Sequence, residues 1–333
     1  MTALLDCIES PASSSSARFD SLGETTGTPA RRLRDAMAAA RVSFAWLGTQ
    51  KSLTPEQRAQ AAEAFDAERQ FLSAGKKLLD VKHPAFRAVT ALRGKIRDYW
   101  RSISLPFPEP GVRLIRQDQV AAFAARMTEF RSELDQAAIH LDRHYGELRR
   151  AAAVRLGRLY NPEDYPESLL GLFAVSFDFP AIDPPDYLWA LAPELYEQER
   201  VKVAARFEEA ARLAEQAFID EFARLVTHLT ERLSGCGEEG EPKVFRDSAV
   251  NNLVEFFERF RALSVRGNDQ LDELVAQAQR ATRGASAQGI RDNPSLRRRV
   301  AEQLAQTQSA LERLLVDRPR RRILRQASTP ENF

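Results

Sequence analysis

Two long amphipathic segments constrain the fold of this chain more than any other feature of its sequence. They cover residues 117–160 and 194–233, and a helix of roughly 40 residues is about 60 Å long. That length exceeds the width of an ordinary globular core, so the chain is predicted to be elongated. Long helices also present surfaces to partners, which makes a protein-binding role an early expectation.

Both segments carry apolar residues at a spacing of three and four, the pattern of a helix with one buried face. In the first they are Val120, Phe123, Met127, Phe130, Leu134, Ala137, Leu141, Leu148 and Ala151, and in the second Phe207, Ala211, Ala214, Phe218, Phe222, Leu225, Leu229 and Leu233. His144 interrupts the first stripe, which weakens there. Two stripes joined by a compact connection predict a long antiparallel helical hairpin that resembles a coiled coil.

The connection between the long helices has the alternation of a β-strand. Phe173, Val175, Phe177 and Phe179 alternate with smaller or polar residues. Segments 42–46 and 103–115 are also predicted to be extended, although their prolines restrict residues 103–111 to a sheet edge. The three segments are predicted to form a short antiparallel sheet at one end of the hairpin. The predicted fold class is therefore mainly α with a small β element.

Composition and helical pattern divide the chain into five predicted parts. Shorter helices are expected at 29–41, 55–75 and 84–100, and later ones at 248–263, 269–283 and 294–316. The parts are a disordered tail at 1–28, an elongated helical domain with a small β tip at 29–234, a Gly-rich linker at 235–246, a C-terminal helical region at 247–317 and a basic tail at 318–333.

Bulk composition excludes several classes of protein. The net charge of +1 gives no overall attraction to nucleic acid or to an anionic membrane. No stretch approaches the roughly 20 apolar residues of a membrane-spanning helix, and the N-terminus lacks the basic and apolar regions of a signal peptide. The chain has two cysteines, Cys7 and Cys236, too few for a disulfide framework, so a cytoplasmic location is expected.

Candidate chemistry is sparse. The sequence has no phosphate-binding loop and no Gly-x-Ser-x-Gly motif, and neither cysteine has the setting of a nucleophile. His140 and His144 are four residues apart on one helix face, which is the geometry of a two-histidine metal pair, but the sequence names no third ligand. The expectation is a protein that is not an enzyme and has no cofactor or small-molecule substrate, with a metal site at these histidines as an open alternative.

The C-terminal region is the strongest electrostatic feature. Ten arginines stand against four acidic residues between Arg291 and Arg325, a net charge of +6. Such a segment can neutralise phosphates or dock on an acidic protein surface, whereas the lack of nearby aromatic residues argues against reading of single strands. The candidate contact residues for nucleic acid or an acidic partner are Arg318, Arg320, Arg321, Arg322 and Arg325.

Several short motifs occur together between residues 40 and 230. They are Trp46-Leu47-Gly48-Thr49-Gln50-Lys51-Ser52-Leu53, Gly75-Lys76-Lys77-Leu78, a long helix that carries Tyr145, and a stretch with Tyr165, Ser168, Leu169 and Phe173. Together they resemble an uncharacterised family of bacterial, phage and mobile-element proteins that are often encoded beside an AAA+ ATPase and a von Willebrand A-domain protein. The resemblance implies an accessory or adaptor role and carries over no catalytic residues.

Three functions follow from the sequence. The leading hypothesis is a non-enzymatic scaffold or adaptor that binds a protein through its long helices, either an AAA+ ATPase or a second copy of itself. The second is a nucleic-acid-binding accessory factor that uses the Arg-rich C-terminus. The third is a metal-binding protein or enzyme centred on His140 and His144. The sequence leaves open the identity of the partner, the oligomeric state and which end of the molecule is functional.

Overall fold

The computed structural model describes residues 27–234 and 247–316. Within these residues the protein is mainly α with a small antiparallel sheet, which confirms the predicted fold class. The predicted linker at 235–246 and the predicted basic tail at 318–333 lie outside the described residues. The predicted tail at 1–28 also lies outside them, except for residues 27 and 28.

Helices account for most of the described residues. They are α1 (Pro29–Ala36), α2 (Pro55–Glu63), α3 (Pro84–Ser102), α4 (Val120–Arg143), α5 (Tyr145–Leu156), α6 (Asp186–Leu191), α7 (Pro193–Ser234), α8 (Asp247–Leu263), α9 (Asp269–Thr282), α10 (Ala287–Asp292) and α11 (Pro294–Val316). The strands are β1 (Met37–Trp46), β2 (Gln50–Ser52), β3 (Gly75–Lys77), β4 (Ser104–Pro106), β5 (Val112–Arg116) and β6 (Phe173–Asp178).

The three segments predicted to be extended do meet in one sheet, whose strand order is β4-β5-β1-β6 with every pairing antiparallel. The central strand β1 pairs with β5 from Met37 to Arg41 and with β6 from Arg41 to Trp46. The proline-containing β4 is an edge strand, as its missing N–H donor requires. A separate two-stranded ribbon joins β2 and β3.

The strand β1 begins five residues earlier than predicted, because the helix expected at 29–41 ends at Ala36. Residues 37–41 have a high helix propensity but sit between two layers of helices. Met37 and Ala39 are buried in one core while Ala40 is buried in the other, which is the two-sided alternation of a strand. Burial on both faces overrides the local preference.

The sheet separates two hydrophobic cores. One face packs against α3, α4 and α5, and the other packs against α7. Helix α7 also contacts α1, α8 and α11, and α9 packs against α11 and α8. This arrangement corrects the predicted hairpin, in which the two long helices pack on each other beside a sheet at one end. The apolar stripe of α4 contacts α3 and β6, whereas that of α7 contacts α1, α8 and α11. The intervening sheet gives each stripe its own partner.

The two long helices differ in continuity. The second runs unbroken as α7, with 42 residues. The first is divided at His144, where the apolar stripe weakens and a one-residue turn (φ −91°, ψ −3°) separates α4 from α5.

Helix α2 is shorter than predicted. It is expected to reach Gly75 but ends at Glu63, and Phe65, two residues further on, is 79% exposed and does not pack into a core.

Candidate functional site

The motifs that carry the family resemblance converge on the ribbon of β2 and β3. Lys51 and Lys76 are directly opposite each other in this ribbon, and two like charges in such a pair repel. Asp164 lies between them: its Oδ1 is 2.6 Å from Lys51 Nζ and its Oδ2 is 2.6 Å from Lys76 Nζ. Lys76 also donates to the carbonyl of Leu159 at 2.7 Å. The carboxylate therefore fastens the ribbon to the segment that follows α5.

Burial makes this ion cluster sensitive to change. The side chains of Lys76 and Asp164 are only 4% and 2% exposed, whereas that of Lys51 is 56% exposed. Burial alone would raise the pKa of Asp164, but the ammonium groups of Lys51 and Lys76 outweigh it and hold the pKa below its ordinary value. Asp164 is thus ionised near neutral pH and is occupied by its two lysines.

Further contacts anchor the same segment. The hydroxyl of Tyr165 donates to the carbonyl of Leu78 at 3.0 Å. Asp142 Oδ1 accepts from the hydroxyl of Ser168 at 3.0 Å and from the backbone N–H of Leu169 at 2.7 Å. These residues therefore form a structural clamp. The polar side chains that could take part in chemistry instead hold the loops in place.

The predicted histidine pair forms part of a larger group. The rings of His140 and His144 are 5.0 Å apart, and that of His83, which the sequence pattern did not single out, is 5.2 Å from His144. Nδ1 of His83 accepts the N–H of Ala85 and caps α3. Within residues 27–234 and 247–316, no group of three His, Cys, Asp or Glu side chains has the arrangement of a metal site.

The candidate contact residues of the basic tail, namely Arg318, Arg320, Arg321, Arg322 and Arg325, lie outside the described residues. The last described helix, α11, packs along α7 and α9 and buries Val300, Leu304 and Leu311.

A second feature, which sequence reasoning missed, is an exposed apolar surface at α6 and the first turns of α7. We call this the α6 surface, and its large exposed side chains are Tyr187 (62%), Trp189 (66%), Leu191 (79%), Leu195 (43%) and Val201 (68%). None of the residues 186–202 is buried, and the first buried side chain of α7 is Val203. The short helix α6 contacts α7, so the two form a protrusion beyond the core.

The α6 surface has an acidic surround. Residues 183–202 contain five acidic and two basic residues, a net charge of −3. Asp183 pairs with Arg34 of α1 at 2.7 Å, which ties the base of the protrusion to the body. Two further acids pair within α7, whereas Asp186 and Glu194 form no ion pair with any residue that the structure describes. An apolar surface with an acidic rim suits a partner whose apolar contact is flanked by basic residues.

Comparison of the chain with protein-family models, with curated proteins and with solved structures finds no match. No helix in the described ranges is both long and apolar enough to cross a membrane.

Proposed function

We propose that this protein is a non-enzymatic adaptor that binds a protein partner through the α6 surface. The family resemblance suggests that this partner is an AAA+ ATPase. The observation that carries the proposal is the exposure of Tyr187 and Trp189 on the same short helix.

The amount of exposed apolar area supports a binding role. With roughly 200 Å² for a full aromatic side chain, Tyr187 and Trp189 alone expose about 250 Å², and Leu191, Leu195 and Val201 add to it. Tyr187 and Leu191 are four residues apart and lie on one face of α6, and exposed apolar area on a folded protein marks sites of interaction. Tyrosine and tryptophan are also enriched among the residues that contribute most of the binding energy at interfaces.

The position of the α6 surface supports docking without disturbance of the core. Its apolar residues precede Val203, where α7 enters the core, so a partner can cover them while the body stays folded. The long α7 then connects the docking surface to the core shared with α8, α9 and α11. An adaptor requires this combination of an accessible contact and a rigid support.

The proposal is tested with the paired variant Trp189→Ser/Leu191→Ser. Both side chains are exposed, so thermal unfolding should be nearly unchanged, while affinity for a purified AAA+ ATPase of the same genome should fall about 10-fold to 100-fold. Isothermal titration calorimetry measures that affinity. Phe71→Ser is the matched control, because Phe71 is an equally exposed aromatic residue (82%) away from this surface.

Two results contradict the proposal. The first is equal affinity of the paired variant and the unaltered chain for the ATPase, and the second is equal weakening by Phe71→Ser. Sedimentation velocity of the protein alone distinguishes self-association from binding of the ATPase. If the unaltered chain is a dimer and the paired variant is a monomer, the partner is a second copy of the chain and the ATPase assignment is refuted.

A further inference from the structure

The helix α3 carries a stripe of arginines along one flank. Arg93, Arg97 and Arg101 are spaced four residues apart, so they lie close to one line about 12 Å long. With Arg87 and Lys95 the helix has five basic residues against one acid, Asp98, a net charge of +4. Lys95 lies on the opposite flank and pairs with Glu133 of α4. The arginine flank is thus separate from this ion pair, and the acid nearest to it on α3 is Asp98, three residues before Arg101.

These arginines are not neutralised by the protein. Arg87, Arg93, Arg97 and Arg101 form no ion pair with any of the residues 27–234 or 247–316. Arg93 Nε is buried and has no hydrogen-bond partner among those residues. Burial, followed by the repulsion of Arg97, lowers the pKa of Arg93. Crowded cations without carboxylates cost folding free energy, and they are stabilised when an anion binds.

The same crowding continues onto the neighbouring strand. Burial, and then the charges of Arg101 and Arg259, lower the pKa of Arg113 of β5 to about 10. The guanidinium of Arg113 donates to Ser104 of β4 and forms no ion pair with a carboxylate in the part of the chain that the structure describes. The basic surface therefore extends from the middle of α3 to the β4–β5 edge of the sheet.

Aromatic side chains border this basic surface. Phe44 and Trp46 are half-buried on the face of β1 that packs against α3. The guanidinium carbon of Arg93 is 4.6 Å from the ring centre of Trp46 and 5.6 Å from that of Phe44, and that of Arg97 is 5.7 Å from Phe44. Guanidinium planes on aromatic rings form stacking platforms for bases.

An open strand edge lies beside the platform. Strand β5 pairs with β1 only as far as Arg41, so residues 42–46 pair with β6 on one side alone. Phe44 and Trp46 both belong to this stretch. The result is a surface on which Arg93 and Arg97 lie over the rings of Phe44 and Trp46 and Arg101 continues the row of arginines along α3. We call it the α3 track, formed by Arg93, Arg97, Arg101, Phe44 and Trp46.

We propose that the α3 track binds single-stranded nucleic acid, with the arginines on the phosphates and bases stacked on the platform of Arg93 and Trp46. Unpaired arginines in a row suit a repeating phosphate chain, and aromatic rings suit unpaired bases. A duplex hides its bases from such a platform. An anionic membrane would need apolar side chains that project beyond the cations, whereas here the rings lie beneath the guanidinium groups.

The test uses the full-length chain and a fluorescein-labelled 20-nucleotide oligo(dT), with binding followed by fluorescence anisotropy. The variant Arg93→Gln/Arg97→Gln/Arg101→Gln should weaken binding at least 10-fold. Each phosphate contact on a single strand contributes about 0.7 to the dependence of log K on log salt, so the slope should fall by about two. The matched control is Arg143→Gln/Arg206→Gln/Arg224→Gln, which removes the same charge from other exposed arginines.

A second readout does not depend on net charge. In a Trp100→Phe/Trp189→Phe background, Trp46 is the remaining tryptophan, and stacking of bases should quench its fluorescence.

The single variant Arg97→Gln replaces the triple variant if the latter fails to fold. It removes one exposed guanidinium and should reduce affinity severalfold.

Four outcomes overturn the proposal. The first is an equal loss of affinity in the control triple variant, and the second is binding that is lost only when Arg318, Arg320, Arg321, Arg322 and Arg325 are replaced by Gln. The third is an affinity for a 20-base-pair duplex equal to that for the single strand. The fourth is binding to phosphatidylserine vesicles without any binding to the oligonucleotide. The arginine variants leave the α6 surface unchanged, and Trp189 is replaced only in the fluorescence experiment, so loss of oligonucleotide binding in the anisotropy assay is distinguishable from failure of the adaptor proposal.

Discussion

Replacement of Asp164 by Asn is the sharpest probe of the clamp between the β2–β3 ribbon and the segment after α5. The change is nearly isosteric, but it leaves the ammonium group of Lys76, 4% exposed, without its carboxylate. Breakage of a buried ion pair costs about 3–5 kcal/mol. The contact of Lys51 with the same carboxylate is 56% exposed on the lysine side and adds no more than about 1 kcal/mol.

The expected loss of unfolding free energy for Asp164→Asn is therefore about 3–5 kcal/mol at pH 7, measured by urea unfolding with circular dichroism. Lys51→Met should cost no more than about 1 kcal/mol. The double variant Lys76→Met/Asp164→Leu should recover much of the loss, because paired apolar replacements avoid a lone buried charge.

The direction in which stability changes with pH provides an independent test of the clamp. The pKa of Asp164 is lowered from its ordinary value of 3.8 in the folded protein, so the unfolded chain binds the proton more readily. The stability from this carboxylate is then fully present above pH 4 and is lost as pH falls through the lowered folded pKa. The difference between the unaltered chain and Asp164→Asn should shrink below pH 4. A loss under 1 kcal/mol at pH 7, or a difference that stays constant down to pH 3, would refute the clamp.

Three further predictions concern the fold. Tyr145→Phe should leave the melting temperature unchanged or raise it, because the buried hydroxyl, whose pKa burial raises to about 12, has no hydrogen-bond partner among the described residues; a loss above 1 kcal/mol would contradict this. Thr54→Ala should cost about 1 kcal/mol through loss of the capping box with Gln57, seen as faster amide exchange in α2, and unchanged exchange would count against it. Leu134→Ala should cost about 2–5 kcal/mol in urea unfolding, whereas Leu195→Ala, 43% exposed, should stay within about 0.5 kcal/mol; similar costs for both would show that the burial pattern is wrong.

The sequence predicted the elements better than their partners. A proline at the first helical position predicts the helix at 294–316, and a clear alternation of apolar residues predicts the strand that begins at residue 173. Both agree with the structure. The apolar stripe of a helix defines which face is buried but not what covers it. Pattern alone therefore predicts that the stripes on α4 and α7 pack on each other, whereas in the structure each faces one side of the sheet.

Residues 37–41 illustrate a second limit. Three consecutive alanines favour a helix locally, and nothing in that segment indicates that it is the centre of a sheet. Small side chains at Ala39 and Ala40 allow helices to approach from both faces, where these residues are 5% and 0% exposed. That information is tertiary, so a single-sequence pattern cannot supply it.

Sites depend even more on long-range contacts. The sequence motifs contain Lys51 and Lys76, but their acceptor, Asp164, is about 90 residues from Lys76 in the chain, and only the fold brings it to them. His83 joined the predicted histidine pair in the same way. The exposure of Trp189 was equally hidden, because an apolar residue in a short helix is ordinarily predicted to lie in a core.

Hydrogen–deuterium exchange shows whether a protein partner covers the α6 surface. The full-length chain is compared with and without a saturating AAA+ ATPase from the same genome, and peptides that span residues 183–203 are followed by mass spectrometry. Those peptides should exchange more slowly in the complex, while peptides around Phe71 remain unchanged. Unaltered exchange at residues 183–203, together with protection elsewhere on the chain, would contradict the account.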